Sequence, residues 1–113
     1  MGSELDARGS RAARNEALFR EVNERMKSIV QTVSPSSVLN EFVCECPNPD
    51  CAERIELTLD EYERIRNEPT WFAVRPGHEA PDVERTIEQH ERYLAVEKVG
   101  KAAEVAAHLD PRS

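Results

Sequence analysis

Three cysteines lie within eight residues of one another and carry the clearest chemistry in this sequence. They are Cys44, Cys46 and Cys51, and the chain of 113 residues has no other cysteine. An odd number of thiols cannot all pair as disulfides, and a reducing compartment would keep them free. Three clustered thiols suit a soft metal, above all zinc, which takes four Cys or His ligands in a tetrahedron. The spacing therefore predicts one Zn²⁺ per chain.

The fourth ligand must come from outside this cluster. Among the three histidines, His78 directly follows Pro76-Gly77, a turn that would hold the imidazole in a fixed direction. We predict four metal ligands, which are Cys44, Cys46, Cys51 and His78. Asp50 or water could replace the histidine, and the spacing differs from the C-x-x-C knuckle of common zinc ribbons. The alternative is a group of buried, inert cysteines with a surface histidine nearby.

Short strands and tight turns must bring these ligands together. In an extended strand the first two cysteines point to the same side, and the four turn-forming residues at 47–50 return the chain to the third. The runs 41–44 and 54–57 flank this loop and are predicted to pair as an antiparallel hairpin. Thr58 and Glu61 then form a T-x-x-E capping box, which predicts the start of a short helix.

The remainder of the chain continues with short elements. Strands are predicted at 71–74, 83–88 and 92–99, and an Ala-rich helix at 101–109 ends before Pro111. The run 83–88 could instead form a helical turn. These elements predict an α+β fold. In this fold an N-terminal helix precedes a small zinc-stapled domain of short antiparallel strands with one or two short helices.

The N-terminal part of the chain is predicted to contain one long helix. Residues 1–10 are polar and show no periodicity, so we expect a disordered tail there. An amphipathic helix is predicted over 11–33, and the serine-proline tetrad at 34–37 ends it and forms a linker. The small zinc-binding domain then occupies 38–113.

The predicted helix carries apolar side chains at alternating steps of three and four residues, as a coiled-coil seam does. This apolar seam comprises Phe19, Val22, Met26, Ile29 and Val33. With only about two to three heptads, the helix is marginal as an independent coiled coil, so the seam must be buried against another surface. We predict that it binds a protein partner or forms a homodimer. Packing against the chain's own domain is the alternative.

The distribution of charge narrows the classes of partner. The chain has 15 basic and 22 acidic residues, a formal net charge of −7, and residues 34–113 hold nine of the basic and 17 of the acidic ones. Nucleic acid and acidic membrane surfaces require clustered basic residues, so both are unlikely partners. No apolar run approaches the length of a membrane helix, and no signal-peptide core is apparent. We therefore expect a cytoplasmic protein.

The predicted ligand set also bears on function. A zinc ion with four protein ligands has no open position for substrate, and the sequence contains neither H-E-x-x-H nor a Gly-rich phosphate loop. We expect a structural zinc rather than an enzyme, because the core of so small a domain rarely gives enough stability without a metal ion or a disulfide. The favoured function is a protein-interaction or regulatory module. A redox-responsive thiol and zinc regulator is the second hypothesis, and a nucleic-acid-binding zinc module is a weaker third.

Several strings of the sequence resemble a group of small actinobacterial proteins that have no assigned activity. The strings are FVCEC, the following Cys51, RIELTLDEYERIR, FAVRPGHE and YLAVEK, and RNEALFREVNER is similar to their N-terminal helix. The resemblance covers most of residues 14–98. It implies that the four predicted ligands belong to one recurring pattern, and it implies nothing about activity.

Overall fold

A long N-terminal helix is followed by short antiparallel strands in two small sheets and by two short helices, so the predicted α+β fold class is confirmed. The computed structural model describes residues 4–33, 35 and 38–110. In chain order the elements are α1 (Glu4–Val33), β1 (Leu39–Val43), β2 (Arg54–Thr58), α2 (Leu59–Arg66), β3 (Trp71–Val74), β4 (Glu84–Gln89), β5 (Leu94–Lys98) and α3 (Gly100–His108). Among the described residues, no helix combines the length and the apolar content that crossing a membrane requires.

The two sheets place the predicted ligand loop at the end of a hairpin. Strands β1 and β2 pair antiparallel, with Phe42 opposite Ile55, as the sequence predicts. The second sheet has the order β3-β5-β4, and both of its pairings are antiparallel. The hairpin ladder continues into the ligand loop, because the Cys44 N–H donates to the Glu53 carbonyl at 3.0 Å.

Both hydrogen bonds of the capping box predicted at the start of α2 are present. The Thr58 hydroxyl accepts from the Glu61 N–H at 3.1 Å, and the Thr58 N–H donates to the Glu61 carboxylate at 2.9 Å. These two bonds satisfy backbone donors that a helix start leaves unpaired. They fix the position at which β2 ends and α2 begins.

Helix α1 begins at Glu4, so residues 4–10 are helical, which corrects the disordered tail predicted to include them and the helix start predicted at 11. Its first turns pack on α3 through small side chains. A Cβ added to Gly9 would lie 3.4 Å from the Ala102 Cβ, so the two helices approach closely. Close packing of small residues does not require an apolar periodicity in this segment. Residues 1–3 and, within the predicted linker, residues 34, 36 and 37 lie outside the described residues.

The rest of the buried face of α1 is polar, which the sequence pattern did not predict. Arg20 stacks over Phe72, with its guanidinium carbon 3.6 Å from the ring centroid, and it donates to the Trp71 carbonyl. Glu16 forms a fully buried ion pair with Lys98. Buried charges are tolerated when they are paired, so these contacts explain how charged residues occupy the inner face of a helix.

Two groups of buried side chains form the core. One lies among the hairpin, α2 and the second sheet and stacks Phe42 on Tyr62, with ring centroids 4.6 Å apart. The other lies among α1, α3 and the second sheet, and it includes Cys44 and Cys46. The predicted metal ligands are therefore part of the core packing rather than an attachment at the surface.

Candidate metal centre

The four predicted ligands converge in the structure. One ligand atom from each of Cys44, Cys46, Cys51 and His78 lies within 4.8 Å of the corresponding atoms of the others. Cys44 and Cys46 are buried, whereas Cys51 and His78 are half-buried. The site thus faces the core on one side and solvent on the other.

The spacing of these atoms fits a tetrahedral zinc ion. Zinc binds sulfur at about 2.3 Å and nitrogen at about 2.0–2.1 Å, so a regular tetrahedron has S···N edges of about 3.5–3.6 Å. The His78 Nδ1 lies 3.6 Å from the Cys44 Sγ and 3.6 Å from the Cys51 Sγ. Three sulfurs and one nitrogen are also the donor types that zinc prefers. The donor types and two of the six donor–donor distances therefore fit the predicted ion.

The turn before His78 positions the imidazole. The His78 N–H donates to the Arg75 carbonyl at 2.9 Å, which closes a four-residue turn with Pro76 and Gly77 at its centre. Gly77 has φ 94°, a conformation that favours glycine and that the third position of a type II turn requires. The turn predicted from Pro-Gly is therefore present, and it directs the histidine toward the thiols.

Asn48 organises the loop that joins Cys46 to Cys51. Its carbonyl accepts the Cys51 N–H at 3.1 Å, and its side-chain oxygen accepts the Asp50 N–H at 3.0 Å. The two bonds fold the loop back on itself, as an Asx turn does. Asp50 itself is exposed and is not among the converging ligand atoms, so the structure favours His78 over Asp50 as the fourth donor.

Backbone N–H groups point at the sulfur atoms. The Arg75 N–H donates to the Cys44 Sγ at 3.2 Å. Burial raises the pKa of Cys51, and a backbone hydrogen bond from Glu53 opposes this rise; a backbone hydrogen bond from Asn48 likewise acts to lower the pKa of Cys46. Hydrogen bonds to sulfur stabilise the thiolate, which is the form that binds a metal. The loop backbone thus supports each of the three thiolates that zinc would need.

The thiols interact so strongly that they do not ionise alike without a cation. A hydrogen bond from the Cys44 thiol lowers the pKa of Cys46 to about 5, and the same contact, together with burial, raises the pKa of Cys44. Burial also raises the pKa of Cys51. One thiolate beside two thiols therefore describes the cluster without a cation, whereas a divalent cation would favour three thiolates.

Glu45 lies between the first two cysteines, and sequence reasoning did not identify its role. Its carboxylate is fully buried and accepts hydrogen bonds from the Tyr62 hydroxyl at 3.1 Å, the Asn23 amide at 2.9 Å and the Ala73 N–H at 3.0 Å. These donors compensate the buried charge and fix the ligand segment against β3. The alternation Cys-Glu-Cys was the available signal, because it places the glutamate on the face opposite the cysteines.

Helix α1 is hydrogen-bonded to both ends of the first ligand segment. Asn15 donates to the Pro47 carbonyl at 2.9 Å, directly after Cys46. Asn23 bonds the backbone of Val43, directly before Cys44. The helix therefore forms part of the frame of the site.

The residues of the apolar seam do not share one environment. Val22 is 44% exposed and Ile29 is 66% exposed, whereas Phe19 and Met26 are half-buried. The side chain of Val33 lies outside what the structure describes. Leu18, which is not part of the predicted seam, is 63% exposed. Leu18, Val22 and Ile29 together are called the exposed apolar face below.

No protein-family model, curated protein or solved structure matches the chain. Its function must therefore be inferred from the geometry of the site. That geometry defines a small α+β module with a Cys₃His cluster suited to a metal ion.

Proposed function

We propose that Cys44, Cys46, Cys51 and His78 hold one structural Zn²⁺. The observation that carries this proposal is the 3.6 Å spacing of the His78 Nδ1 from two of the sulfurs, which equals the edge of a zinc tetrahedron. Bound zinc would contribute folding free energy by joining the hairpin loop to the turn after β3. A complete protein ligand set leaves no position for substrate, so we assign the ion no catalytic step.

We further propose that the module binds another protein through the exposed apolar face of α1. The inner face of the helix already packs on the chain's own domain, which leaves the outer face available. Leu18, Val22 and Ile29 lie at steps of four and seven residues, so they share one side of the helix. An apolar helix side suits the groove of a partner or the same helix of a second copy.

Site-specific photocrosslinking tests the interaction. A photoreactive amino acid at Leu18 is expected to give one crosslinked product of defined mass in cells of the source organism. The same amino acid at Glu104, an exposed position on α3, is the matched control and is expected to give no such product. Val22→Glu should abolish the product, because it places a charge within the apolar contact.

The crosslinking outcomes also separate the two kinds of partner. A product of twice the chain mass supports the homodimer, and light scattering of the purified protein should then give a dimer. A heavier or lighter product supports a different protein. No product from position 18, or an equal product from position 104, would contradict the interaction proposal.

A redox-responsive regulator is the second candidate, and the position of Cys51, which is only half-buried, favours it. Peroxide can reach this thiolate, and two thiolates with two protons and one peroxide give a disulfide and two waters. Loss of two ligands in this way would release the ion. Stoichiometric zinc release at low peroxide, reversed by a thiol reductant, would support this candidate; metal retention under the same conditions would exclude it.

Nucleic-acid binding remains the weakest of the three hypotheses. The net charge is −7, and phosphate recognition requires a basic surface. A mobility-shift assay at low salt tests it most generously, because low salt strengthens every phosphate contact. We expect no shift at micromolar protein.

A further inference from the structure

A cleft separate from the exposed apolar face lies between the first turns of α1 and the ligand loop. Its volume is about 330 Å³, within the range of small-molecule sites. Residues Arg8, Arg11 and Asn15 line one wall, and their spacing places them on one side of the helix. Asn48 of the ligand loop lines the opposite wall.

The charged side chains that line this cleft are positive, whereas the chain as a whole is negatively charged. Two arginines line it and, within the part of the chain that the structure describes, no carboxylate does, although the chain as a whole has a net charge of −7. Arg8 is ion-paired with Asp82. Arg11 is exposed and has no acidic partner among the described residues. The cleft therefore offers an uncompensated guanidinium to an anion.

The floor of the cleft is apolar. Ala12 and Val83 are buried there, and Ala80 is half-buried beside them. A guanidinium has five N–H donors in a planar arrangement that matches a carboxylate in two parallel hydrogen bonds. An apolar floor beneath such donors suits a ligand that has a short hydrocarbon body behind its charged end.

We propose that this cleft binds a small organic anion, a carboxylate with a short hydrocarbon chain. Arg11 pairs with the carboxylate, and the amide of Asn15, which already donates to the Pro47 carbonyl, has a second N–H for the same ligand. The hydrocarbon chain lies on the floor formed by Ala12 and Val83. Arg8 contributes positive charge at the rim.

A ligand bound in the cleft would contact the ligand loop directly. Pro47 and Asn48 line the cleft, and the Asn48 carbonyl also accepts the N–H of Cys51 at 3.1 Å. A ligand that touches this loop therefore alters the surroundings of a metal ligand. This contact gives the binding reaction a local readout at the amide of Asn48.

The test is a titration of the full chain followed by amide NMR spectra, with butyrate, inorganic phosphate and butylamine as probes. Butyrate is expected to give saturable shifts at Ala12, Asn48 and Val83, and butylamine is expected to give none. Phosphate should bind at least several-fold more weakly than butyrate, because it cannot use the floor. Equal binding of phosphate and butyrate would overturn the assignment to organic anions.

Two variants locate the site. Arg11→Gln should weaken butyrate binding about tenfold, the effect of losing one charge-assisted contact. Arg25→Gln removes an exposed arginine of the same helix far from the cleft and should leave binding unchanged. Absence of saturable shifts, or equal weakening by both variants, would overturn the proposal. Neither result depends on whether α1 binds a protein.

Discussion

The side chain of Asn23 pairs with the backbone of Val43 in both directions. Its amide donates to the Val43 carbonyl at 2.9 Å, and its oxygen accepts the Val43 N–H at 2.8 Å. The carboxamide thus takes the place that a neighbouring strand would occupy along β1. Because Cys44 follows Val43, this pairing fixes the helix to the segment that carries the first cysteine of the Cys₃His cluster.

Replacing Asn23 should therefore destabilise the fold. Asn23→Ala leaves the half-buried backbone groups of Val43 without the partner that Asn23 supplies and removes a donor from the buried Glu45 carboxylate, and we expect a loss of about 2–3 kcal/mol. Urea unfolding of the metal-loaded protein measures the loss. Ser28→Ala, an exposed position on the same helix, should change the unfolding free energy by less than about 0.5 kcal/mol. Equal effects of the two variants would contradict this prediction.

Loss of a thiol ligand should cost more than loss of the histidine. Cys51→Ser removes a thiolate, and we expect substantial unfolding of residues 38–99, because metal binding and folding are coupled in small domains. His78→Ala should be milder, since water can take the fourth position. Circular dichroism melting measures both.

The neighbouring Ala52 provides the control for these ligand variants. Ala52→Ser adds the same hydroxyl at an exposed position and should melt like the wild-type chain. A Cys51→Ser protein with wild-type melting would mean that the thiols have no structural role.

The Glu61 carboxylate should contribute to stability only above acidic pH. Burial alone raises its pKa, but hydrogen bonds from Arg92 at 2.9 and 3.1 Å and from the Thr58 N–H lower the pKa of Glu61 to about 2. Since the folded pKa lies below the ordinary value of 4.5, the stabilisation is complete above that value and is lost as pH falls toward 2.

Glu61→Gln isolates this charge, because glutamine preserves the capping box. The unfolding free energy of the variant should fall below that of the wild-type chain at neutral pH, and the difference should shrink at about pH 3. Acid-driven loss of metal affects both proteins and cancels in the difference. Glu68→Gln, an exposed position, should show no pH-dependent difference. A Glu61→Gln difference that is constant with pH would contradict the prediction.

A new charge should cost little stability on the outer face of α1 and much more on its inner face. Val22→Glu places a carboxylate on the exposed apolar face, so the monomer should change by less than about 0.5 kcal/mol. Ala13→Glu places the same group at a fully buried position, where an unpaired charge costs about 3–5 kcal/mol. Denaturant unfolding of the two variants compares the faces directly. A large loss in Val22→Glu would mean that this face is packed inside the protein.

The ligand set could be predicted because its signals are local. Three clustered thiols in one short loop are typical of a metal site, and Pro76-Gly77 specifies a turn type that fixes the direction of the next residue. The capping box and the hairpin were predictable for the same reason, since each depends on residues close together in sequence. Strands were also predicted over 83–88 and 92–99, and the structure pairs β4 with β5 in that part of the chain.

The packing of α1 could not be predicted, because its inner face depends on partners far along the chain. Glu16 and Arg20 are solvent-facing types by ordinary expectation. Their burial is acceptable because Lys98 pairs with Glu16, and because Arg20 stacks on Phe72 and donates to backbone carbonyls of Pro69 and Trp71. Apolar periodicity therefore did not identify the buried side of the helix. The same long-range dependence conceals Glu45, whose donors come from three separate elements.

The number of zinc ions bound per chain decides whether the Cys₃His cluster is a metal centre. The measurement is native mass spectrometry of the full chain, purified under reducing conditions without chelator. We predict one zinc per chain in the wild-type protein and its loss in Cys51→Ser. A wild-type chain that is folded and free of metal, and that takes up no zinc when the ion is added, would contradict the assignment of a structural zinc.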